Sequence, residues 1–414
     1  MSWQTYLNHA ANVTTTPVLP TRRDEEWKYV SLQFLGHTDF VKAIATAPAT
    51  SSSSIPSGAH EIVFVDGVPQ VPATDLPFAA ELIDRSKAPS AVFQSWFEAF
   101  AALKQKTFAA KGFGFEQIDV FEDQNARLWD KALFLQIPDG EVIAQPIVLR
   151  FISTSSEGVR APRIWISASK RSKASIVEVY EGATVLNRLT LPVIEAELAD
   201  SANLALTRVD RGGEGFSRIG RSRVFLRGNA NLESLVFAMG SKLVRDNSDL
   251  HLVGENATAR LHGLSVAGGD QVIDHHTTVD HVVGHCQTQQ LYKSVLSGQS
   301  RVVFNGRVII RHDSQKANSD QLNQSLLLSG TAEVDSKPQL EIWADDVKAT
   351  HGATVGQMNE DEIFYLASRA IPRPEAESMI RQGFTRDLLM QVTNDSVREW
   401  LLTLQTEADQ RLLS

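Results

Sequence analysis

The chain has 414 residues, a formal net charge of −9 and a pI near 5.7, and 43% of its residues are apolar. This composition excludes a disordered chain, and the acidic balance argues against a nucleic-acid partner, which would need a basic surface. Cys286 is the single cysteine, so no intramolecular disulfide can form. No apolar run is long enough to span a membrane, and residues 1–21 lack the pattern of a signal peptide. We therefore expect a cytoplasmic protein with no membrane partner.

Residues 1–125 are predicted to form an N-terminal helical and mixed region. Residues 44–59 are small, polar and proline-bearing, which is typical of a linker. Asp66-Gly67 separates two short apolar runs and tolerates the positive φ angles of a type I′ turn, so we expect a β-hairpin there. A helix is predicted over about 89–110 because apolar residues recur at spacings of three and four, namely Phe93, Trp96, Phe97, Phe100 and Leu103.

Residues 126–358 are predicted to form a right-handed parallel β-helix, so the expected fold class is mainly β. Strand-favouring runs alternate there with Gly, Asn, Asp and Ser, without helical stripes between them. The sequence of residues 296–302 (LSGQSRV) is echoed by 328–334 (LSGTAEV), and more loosely by 226–232 and 252–258. Repeats built of strand and turn favour a coil of strands over a β-sandwich. The two ends of such a coil are open edges that must be covered.

Residues 359–414 are predicted to be a C-terminal helical region whose first residue, an asparagine, caps a helix. Pro374 suits the first position of a second helix over Glu375–Gln382, which Gly383 is expected to end. A third helix is predicted from about Arg386. The apolar stripes of these helices indicate either packing within the chain or a docking surface for a partner.

Sequence motifs of the common enzyme classes are absent. The chain has no G-x-x-x-x-G-K-[ST] for a nucleotide, no G-x-G-x-x-G after a strand, and neither C-x-x-C nor H-E-x-x-H for zinc. Residues 263–268 approach a nucleophile elbow but have one residue too many after the serine. We therefore expect this chain to bind no nucleotide through a P-loop and to be no enzyme.

A run of imidazoles is the main metal-ligand pattern. Imidazole and thiolate suit iron, copper or zinc, but iron–sulfur clusters normally need several thiolates. One cysteine cannot hold a cluster, so any cluster would need ligands from another chain. The alternative is that these side chains stack or hydrogen-bond within strands and turns. The residues are His275, His276, His281, His285 and Cys286, followed by His312 and His351.

Two neighbouring aspartates, Asp345 and Asp346, could be interpreted as an acid/base pair close to His351. Successive residues of a strand point to opposite faces, which argues against cooperation between them. The alternation of apolar residues also changes phase at this step. We therefore expect a corner of the coil at these aspartates.

Several longer stretches together resemble the SufB/SufD family of iron–sulfur cluster assembly proteins. The match is strongest over residues 300–390 and weaker over most of the chain. The matching stretches are SQKANSDQLNQSLLLS (314–329), PQLEIWADDVK (338–348), HGATVG (351–356), FYLASR (364–369), RQGF (381–384) and, near the start, EEWKY (25–29).

The resemblance implies a scaffold subunit that supports cluster assembly and iron acquisition. It implies a β-helix that pairs with that of a SufB-type paralogue, and a C-terminal region, roughly Phe364–Trp400, that docks one of two copies of a SufC-type ATPase. ATP would bind only to that ATPase, and a transient iron–sulfur cluster would form in the complex, with none stably held by this chain alone. The length and the single cysteine are closer to the SufD branch, and a homodimer is possible in isolation.

The resemblance also implies roles for individual residues. His351, in the HGAT motif, would lie at the interface with the paralogue, take part in cluster assembly and share a metal with ligands of the partner chain. Some members have a cysteine two residues earlier; Ala349 stands there, so this position supplies no thiolate. The partner-binding residues implied are Phe364, Tyr365, Arg369, Arg381, Gly383 and Phe384.

Two other functions stay open from the residues alone. A β-helix enzyme acting on polysaccharide would present carboxylates on an exposed sheet face; Asp345 and Asp346 are candidates, but such an enzyme needs an extracellular route. An independent metal-storage protein would use the histidines between His275 and His285.

Overall fold

The residues described by the structure, a computed structural model, are 2–35, 40–44, 53–71, 76–109, 119–155, 158–182 and 188–412. They form a mainly β fold, a parallel β-solenoid of about eight turns with helices at both ends. The predicted fold class is confirmed. Within these residues, no helix is both long and apolar enough to cross a membrane.

Six α-helices lie in the described part of the chain. They are α1 (Trp3–Ala11), α2 (Ala91–Phe108), α3 (Val120–Leu128), α4 (Glu360–Ala367), α5 (Arg373–Leu389) and α6 (Asp395–Arg411). Two short 3₁₀ helices cover Glu25–Trp27 and Gln33–Leu35. Several helices start at a side-chain cap. Ser90 and Asn394, for example, each accept a hydrogen bond from a backbone N–H of the first turn of α2 and α6.

The strands are short, and from β12 onward they run nine to eleven residues each. Those of the described residues are β1 (His60–Val65), β2 (Val68–Gln70), β3 (Ala79–Asp84), β4 (Lys131–Ile137), β5 (Ile147–Ser153), β6 (Val159–Arg160), β7 (Arg163–Ala168), β8 (Lys173–Gly182), β9 (Arg188–Thr190), β10 (Val193–Leu198), β11 (Asn203–Asp210), β12 (Phe216–Leu226), β13 (Asn231–Met239), β14 (Leu243–Leu252), β15 (Thr258–Ala267), β16 (Val272–His281), β17 (Gln287–Leu296), β18 (Arg301–Ile310), β19 (Asn318–Leu327), β20 (Glu333–Ile342) and β21 (Lys348–Gln357).

Two facing sheets make up the coil. Sheet 1 has the order β2-β1-β5-β8-β11-β13-β15-β17-β19-β21, and sheet 2 has the order β3-β4-β7-β10-β12-β14-β16-β18-β20, with β6 and β9 beside it. The pairs β1–β2 and β3–β4 are antiparallel, whereas the pairs of the coil are parallel. Each complete turn contributes one strand to each sheet, so residues one turn apart become neighbours.

One corner of the coil repeats a left-handed residue. Where the chain passes from sheet 2 to sheet 1, one non-glycine residue per turn has a φ near +60°, and successive members are 27 to 31 residues apart: Arg171, Ser201, Asn229, Asn256, His285 and Lys316. Two of the sequence echoes, 226–232 and 252–258, span this corner, and the other two span the opposite corner. The repeated sequences therefore mark the turns of the coil, and such turns occur at both corners.

The interior between the sheets is apolar in the first turns and ionic in the middle. Arg208 on β11 donates to Glu178 and, at 2.8 and 3.0 Å, to both carboxylate oxygens of Asp246. Arg218 on β12 donates to both oxygens of Asp210 and to Asp246. All five side chains are buried. Buried charges are tolerated when each is paired and hydrogen-bonded, as here.

The outer faces of the sheets are covered unequally. Trp3, Phe93 and Phe97 of the N-terminal helices pack on Phe134 and Trp165 of sheet 2. The C-terminal helices α5 and α6 pack an apolar face on sheet 1, in a cluster containing Val179, Val209, Phe237, Leu264, Leu388, Trp400, Leu401 and Leu404. On sheet 1 this cover ends near β17, so the outer face of β21 is largely exposed.

Most local predictions are confirmed. Asp66 and Gly67 both have positive φ and join β1 to β2 in a hairpin. The helix predicted over 89–110 is α2, and Asn359 caps α4 by accepting from the backbone N–H of Asp361. Of the linker 44–59, residues 45–52 lie outside the described residues, and Ser54 accepts a hydrogen bond from the Trp400 indole.

The prediction that Gly383 ends a helix was wrong. Helix α5 begins at Arg373, so Pro374 is its second residue, and it continues through Gly383 to Leu389. The third helix begins at Asp395 instead of about Arg386. The physical reason is tertiary: Leu388 and Leu389 are fully buried against sheet 1. That burial outweighs the roughly 1 kcal/mol cost of a glycine inside a helix.

Candidate functional site at the open end of the coil

The last turn of the coil ends in two edge strands. Within the described residues, β20 pairs only with β18 and β21 only with β19, so each ten-residue strand leaves one row of backbone groups without a ladder. Nearly every residue of β21 is exposed. We call this edge, formed by β20 and β21, the open end. Long exposed edges are templates for pairing with another chain unless something covers them.

His351 stands at the mouth of the interior, on the open end. It lies on β21 in register with Gln321 on β19. Ala349, two residues before it, packs against the interior apolar cluster, so side chains of this parity face the inside of the coil. No strand lies above β21 in the described residues, and the His351 side chain is exposed. Its imidazole is therefore accessible from outside while resting on the interior wall.

The floor beneath His351 is polar. Gln290 on β17 and Gln321, Asn323 and Ser325 on β19 are all buried, and their alternation with half-buried residues places them on the interior face. None of these residues was predicted from the sequence. A usable signal was the spacing: Gln290, Gln321 and His351 follow one another at intervals of about one turn of the coil.

The aspartates Asp345 and Asp346 lie in the turn between β20 and β21, where a corner was expected. Asp346 forms an ion pair with Lys316, and its backbone oxygen accepts from the Lys316 N–H of the turn below. Both carboxylates are exposed. The contacts of Asp346 therefore join neighbouring turns of the coil, as expected of a corner residue.

The run of histidines from 275 to 285 does not converge on one point. His275 bonds to Ser265 and His281 to Thr288 inside the coil, whereas His276 bonds to Glu26 on the outside and His285 is an exposed corner residue. Burial lowers the pKa of His275 and of His281 to about 4, so both are neutral at pH 7. Among the described ranges, no three His, Cys, Asp or Glu side chains are grouped to hold a metal.

The single cysteine is part of the packing. Cys286 is fully buried in the interior cluster, with its sulfur 3.4 Å from the backbone oxygens of Gly254 and Gly284. Burial raises the pKa of its thiol to about 11. The thiolate form, which would be the metal ligand, is therefore disfavoured at neutral pH.

Helix α4 presents an uncovered aromatic pair. Phe364 is 75% exposed and Tyr365 is 59% exposed, and the Arg369 guanidinium lies 5.3 Å from the centre of the Tyr365 ring. Ile363, on the opposite side of the helix, is buried. An aromatic pair left in solvent beside a cation is the composition that protein interfaces favour.

The other predicted partner-binding residues lie on α5. Arg381 is buried and donates to Asp409, which ties α5 to α6 within the chain. Gly383 is exposed, and Phe384 is half-buried. The Lys293 ammonium on β17 lies 4.7 Å from the centre of the Phe384 ring and donates to the Phe384 carbonyl.

Comparisons with known proteins agree with this architecture. Residues 151–384, more than half of the chain, match the family model described as SUF system FeS cluster assembly, SufBD core domain. The chain is 27% identical over 93% of its length to the iron-sulfur cluster assembly protein SufD of Escherichia coli, covering 88% of that protein. It is 28% identical to an iron-sulfur cluster assembly SufBD family protein of Synechocystis, over 92% of this chain and 86% of the other. For SufD of Bacillus subtilis the figures are 26%, 68% and 64%. The chain therefore belongs to the SufBD family of the SUF iron–sulfur cluster assembly system.

Proposed function

We propose that this chain is a scaffold subunit, without an enzymatic activity of its own, that supports iron–sulfur cluster assembly and iron acquisition in the cytoplasm. The observation that carries the proposal is the open end. Two ten-residue strands without an outer partner in the described residues are surrounded by partly exposed apolar side chains, Ile342, Trp343 and Val355, and they frame His351. Stable proteins rarely leave such an edge uncovered, so we expect another chain to pair with it.

The partner proposed for the open end is the coil of a SufB-type paralogue. Main-chain hydrogen bonds along an edge strand supply affinity, and the side chains beside them supply specificity. The same edge can pair with a second copy when the paralogue is missing, so a homodimer is expected in isolation. His351 would lie in the covered interface and act on a transient cluster together with groups of the paralogue, because Ala349 offers no thiolate.

The partner proposed for the C-terminal helices is a SufC-type ATPase, which alone would bind ATP. Phe364, Tyr365 and Arg369 on α4 would contact it directly, together with Gly383 and Phe384 on α5. Arg381 would contribute by holding α5 on α6 through Asp409. Phe364 and Tyr365 are the clearest support, since aromatic side chains dominate the energy of interfaces when buried by a partner.

Charge placed on the open end tests the pairing. Val355→Lys puts an ammonium on an interior-parity position of β21 that is 52% exposed, and Val142→Lys makes the same change at a site that is 59% exposed between β4 and β5. In mixtures with the paralogue and the ATPase, the Val355 variant should lose the paralogue on size-exclusion chromatography while the Val142 variant keeps it. Equal retention by both variants would remove the open end from the assembly.

The docking surface is tested by Phe364→Ser and Tyr365→Ser, with Val92→Ser on α2 as a control of similar exposure. The α4 variants should lose binding of the ATPase in a pull-down while keeping the paralogue. Unchanged binding would refute the assignment of α4.

The role of His351 is tested by His351→Ala in the reconstituted complex. The exposed side chain contributes little packing, so the fold and the complex should persist while the yield of assembled cluster falls. A wild-type yield would remove His351 from the mechanism.

A further inference from the structure

Three polar side chains form a column across the last strands of sheet 1. Gln290 on β17 is in register with Gln321 on β19, and Gln321 is in register with His351 on β21. All three have the interior-facing parity. Neighbouring strands lie about 4.8 Å apart, so same-face side chains at paired positions stack on one another. The two glutamines are 1% exposed, and His351 is exposed at the top.

The lowest member of this column has a fixed orientation. Thr277 on β16 donates its hydroxyl to Gln290 Oε1 at 2.7 Å, in a buried contact that spans the two sheets. The carboxamide oxygen of Gln290 is therefore engaged. Its amide nitrogen Nε2 has no hydrogen-bond partner among the residues that the structure describes. The Nε2 amide of Gln290 is therefore the group that can donate to the next side chain of the column.

The middle member has no partner at either end. Both Gln321 Oε1 and Gln321 Nε2 are buried without a hydrogen bond to any described residue. Buried amide groups almost always form hydrogen bonds in folded proteins. We therefore expect both the oxygen and the nitrogen of the Gln321 carboxamide to find a hydrogen-bond partner. Gln321 lies directly between an unused donor below and an imidazole above.

The wall opposite Gln321 leaves it room. A Cβ on Gly306 of β18 would lie 2.1 Å from Gln321 Nε2, so the carboxamide occupies the space that a side chain at position 306 would fill. The last torsion of a glutamine is broad and soft. The carboxamide can therefore turn toward the column without moving the backbone.

We propose that Gln321 is the positioning residue of His351, the last step of an amide ladder in which Gln290 Nε2 donates to Gln321 Oε1 and Gln321 Nε2 donates to the inward-facing ring nitrogen of His351. The polarity follows from Thr277, which occupies the oxygen of Gln290. The inward nitrogen then accepts, and in the neutral imidazole the proton sits on the nitrogen that faces out of the open end.

The biological meaning of this assignment rests on the proposed function. The assignment itself specifies what the outward-facing ring nitrogen of His351 can bind. An outward N–H donates to an anionic group, such as a sulfide or a carboxylate presented by the partner. A metal at the same nitrogen would need its lone pair, and the ladder would have to reverse. The structure thus favours His351 as a hydrogen-bond donor in the resting chain.

The test is the tautomer of His351 in the full chain. Protein labelled with ¹⁵N-histidine is measured by NMR at pH 9, far above the ordinary range for histidine protonation. The His351→Gln spectrum identifies the signals. Wild type should show one dominant tautomer. Gln321→Glu presents only acceptor oxygens to the ring, so the pattern of the two ring signals should invert. Gln324→Glu makes the same charge change on the opposite face of β19 and should leave the wild-type pattern.

The same tautomer in wild type and Gln321→Glu, or an equal change in Gln324→Glu, would overturn the proposal. If Gln321→Glu does not fold, Gln321→Leu carries the test: a mixture of tautomers supports the ladder, and an unchanged single tautomer contradicts it. Cluster yield is not used as the readout. A failure of the scaffold proposal and a failure of the ladder are therefore distinguishable.

Discussion

The middle turns of the coil, β11 to β16, and the last turns, β18 to β21, share one backbone plan but differ in their side chains. In the middle turns, the interior charges of Arg208 and Arg218 are paired, and helices α5 and α6 cover the outer face of sheet 1. In the last turns, the interior amides of Gln321 and Asn323 keep open positions, and the edge strands have no outer neighbour in the described residues.

The middle turns therefore provide most of the stability of the coil, and the last turns provide its binding surface. In a coil of repeats, each turn is stabilised mainly by the turns beside it. The last turn has one such neighbour instead of two, so a partner that covers it adds stability that the chain alone does not have. Substitutions in the middle turns should therefore affect folding, and those at the open end should affect assembly.

The largest expected effect is that of Asp246→Asn. The carboxylate of Asp246 forms ion pairs with two buried arginines, Arg208 and Arg218. Its replacement by a neutral amide removes one negative partner from each of them. Breaking a buried pair in this way costs about 3–5 kcal/mol of unfolding free energy. Asp320→Asn on β19, where the carboxylate is exposed, should cost about 0.5 kcal/mol or less. Urea unfolding measures both, and similar losses would contradict the division between the two regions.

A smaller effect is expected from added volume. A Cβ on Gly263 of β15 would lie 2.1 Å from the buried Tyr292 ring, so Gly263→Ala should destabilise by about 1–3 kcal/mol. Nothing lies within 4 Å of a Cβ on Gly356 of β21, so Gly356→Ala should change stability by less than about 0.5 kcal/mol. Thermal melting compares the two variants, and a larger loss of stability for Gly356→Ala would contradict the difference between the middle and the last turns.

The pH dependence should come from the middle turns. Burial lowers the pKa of His262, His275 and His281 to about 4. Below about pH 6.5 these residues are protonated in the unfolded chain but stay neutral in the folded chain. Unfolding therefore takes up protons, and stability falls as the pH drops from about 6.5 toward 4, by about 1.4 kcal/mol per pH unit for each histidine.

The substitution His262→Gln should reduce this slope by about one proton, measured by urea unfolding at several pH values. Above about pH 7 the slopes of variant and wild type should coincide. An unchanged slope between pH values of about 6 and 5 would show that His262 is not held neutral.

The smallest effect is expected at the corner beside the open end. Lys316 and Asp346 form an ion pair with both side chains more than half exposed. Exposed pairs contribute between about 0 and 1 kcal/mol because water and salt screen them. Lys316→Met should therefore leave the urea midpoint nearly unchanged. A clear loss would mean that this corner supports the coil more than its exposure indicates.

Most local elements and the fold class could be predicted from the amino-acid sequence alone. The Asp66-Gly67 turn, the aromatic spacing of α2, the Asn359 cap and the alternation of strand runs with turn residues each depend on side chains within a few positions of one another. Local preference and local pattern were sufficient there, and the similarity to the SufB/SufD family pointed to the same architecture.

The pairing of distant residues depends on the three-dimensional packing of the chain. Gln321 lies under His351 because the parallel register of β19 and β21 pairs these two residues. Successive turns differ in length by a few residues, so the spacing in the sequence indicates a neighbouring turn but does not specify the register. Helix α5 passes through Gly383 because Leu388 and Leu389 are buried on sheet 1. The physical reason is the same in both cases: contacts between residues far apart in the chain outweigh local preferences of about 1 kcal/mol.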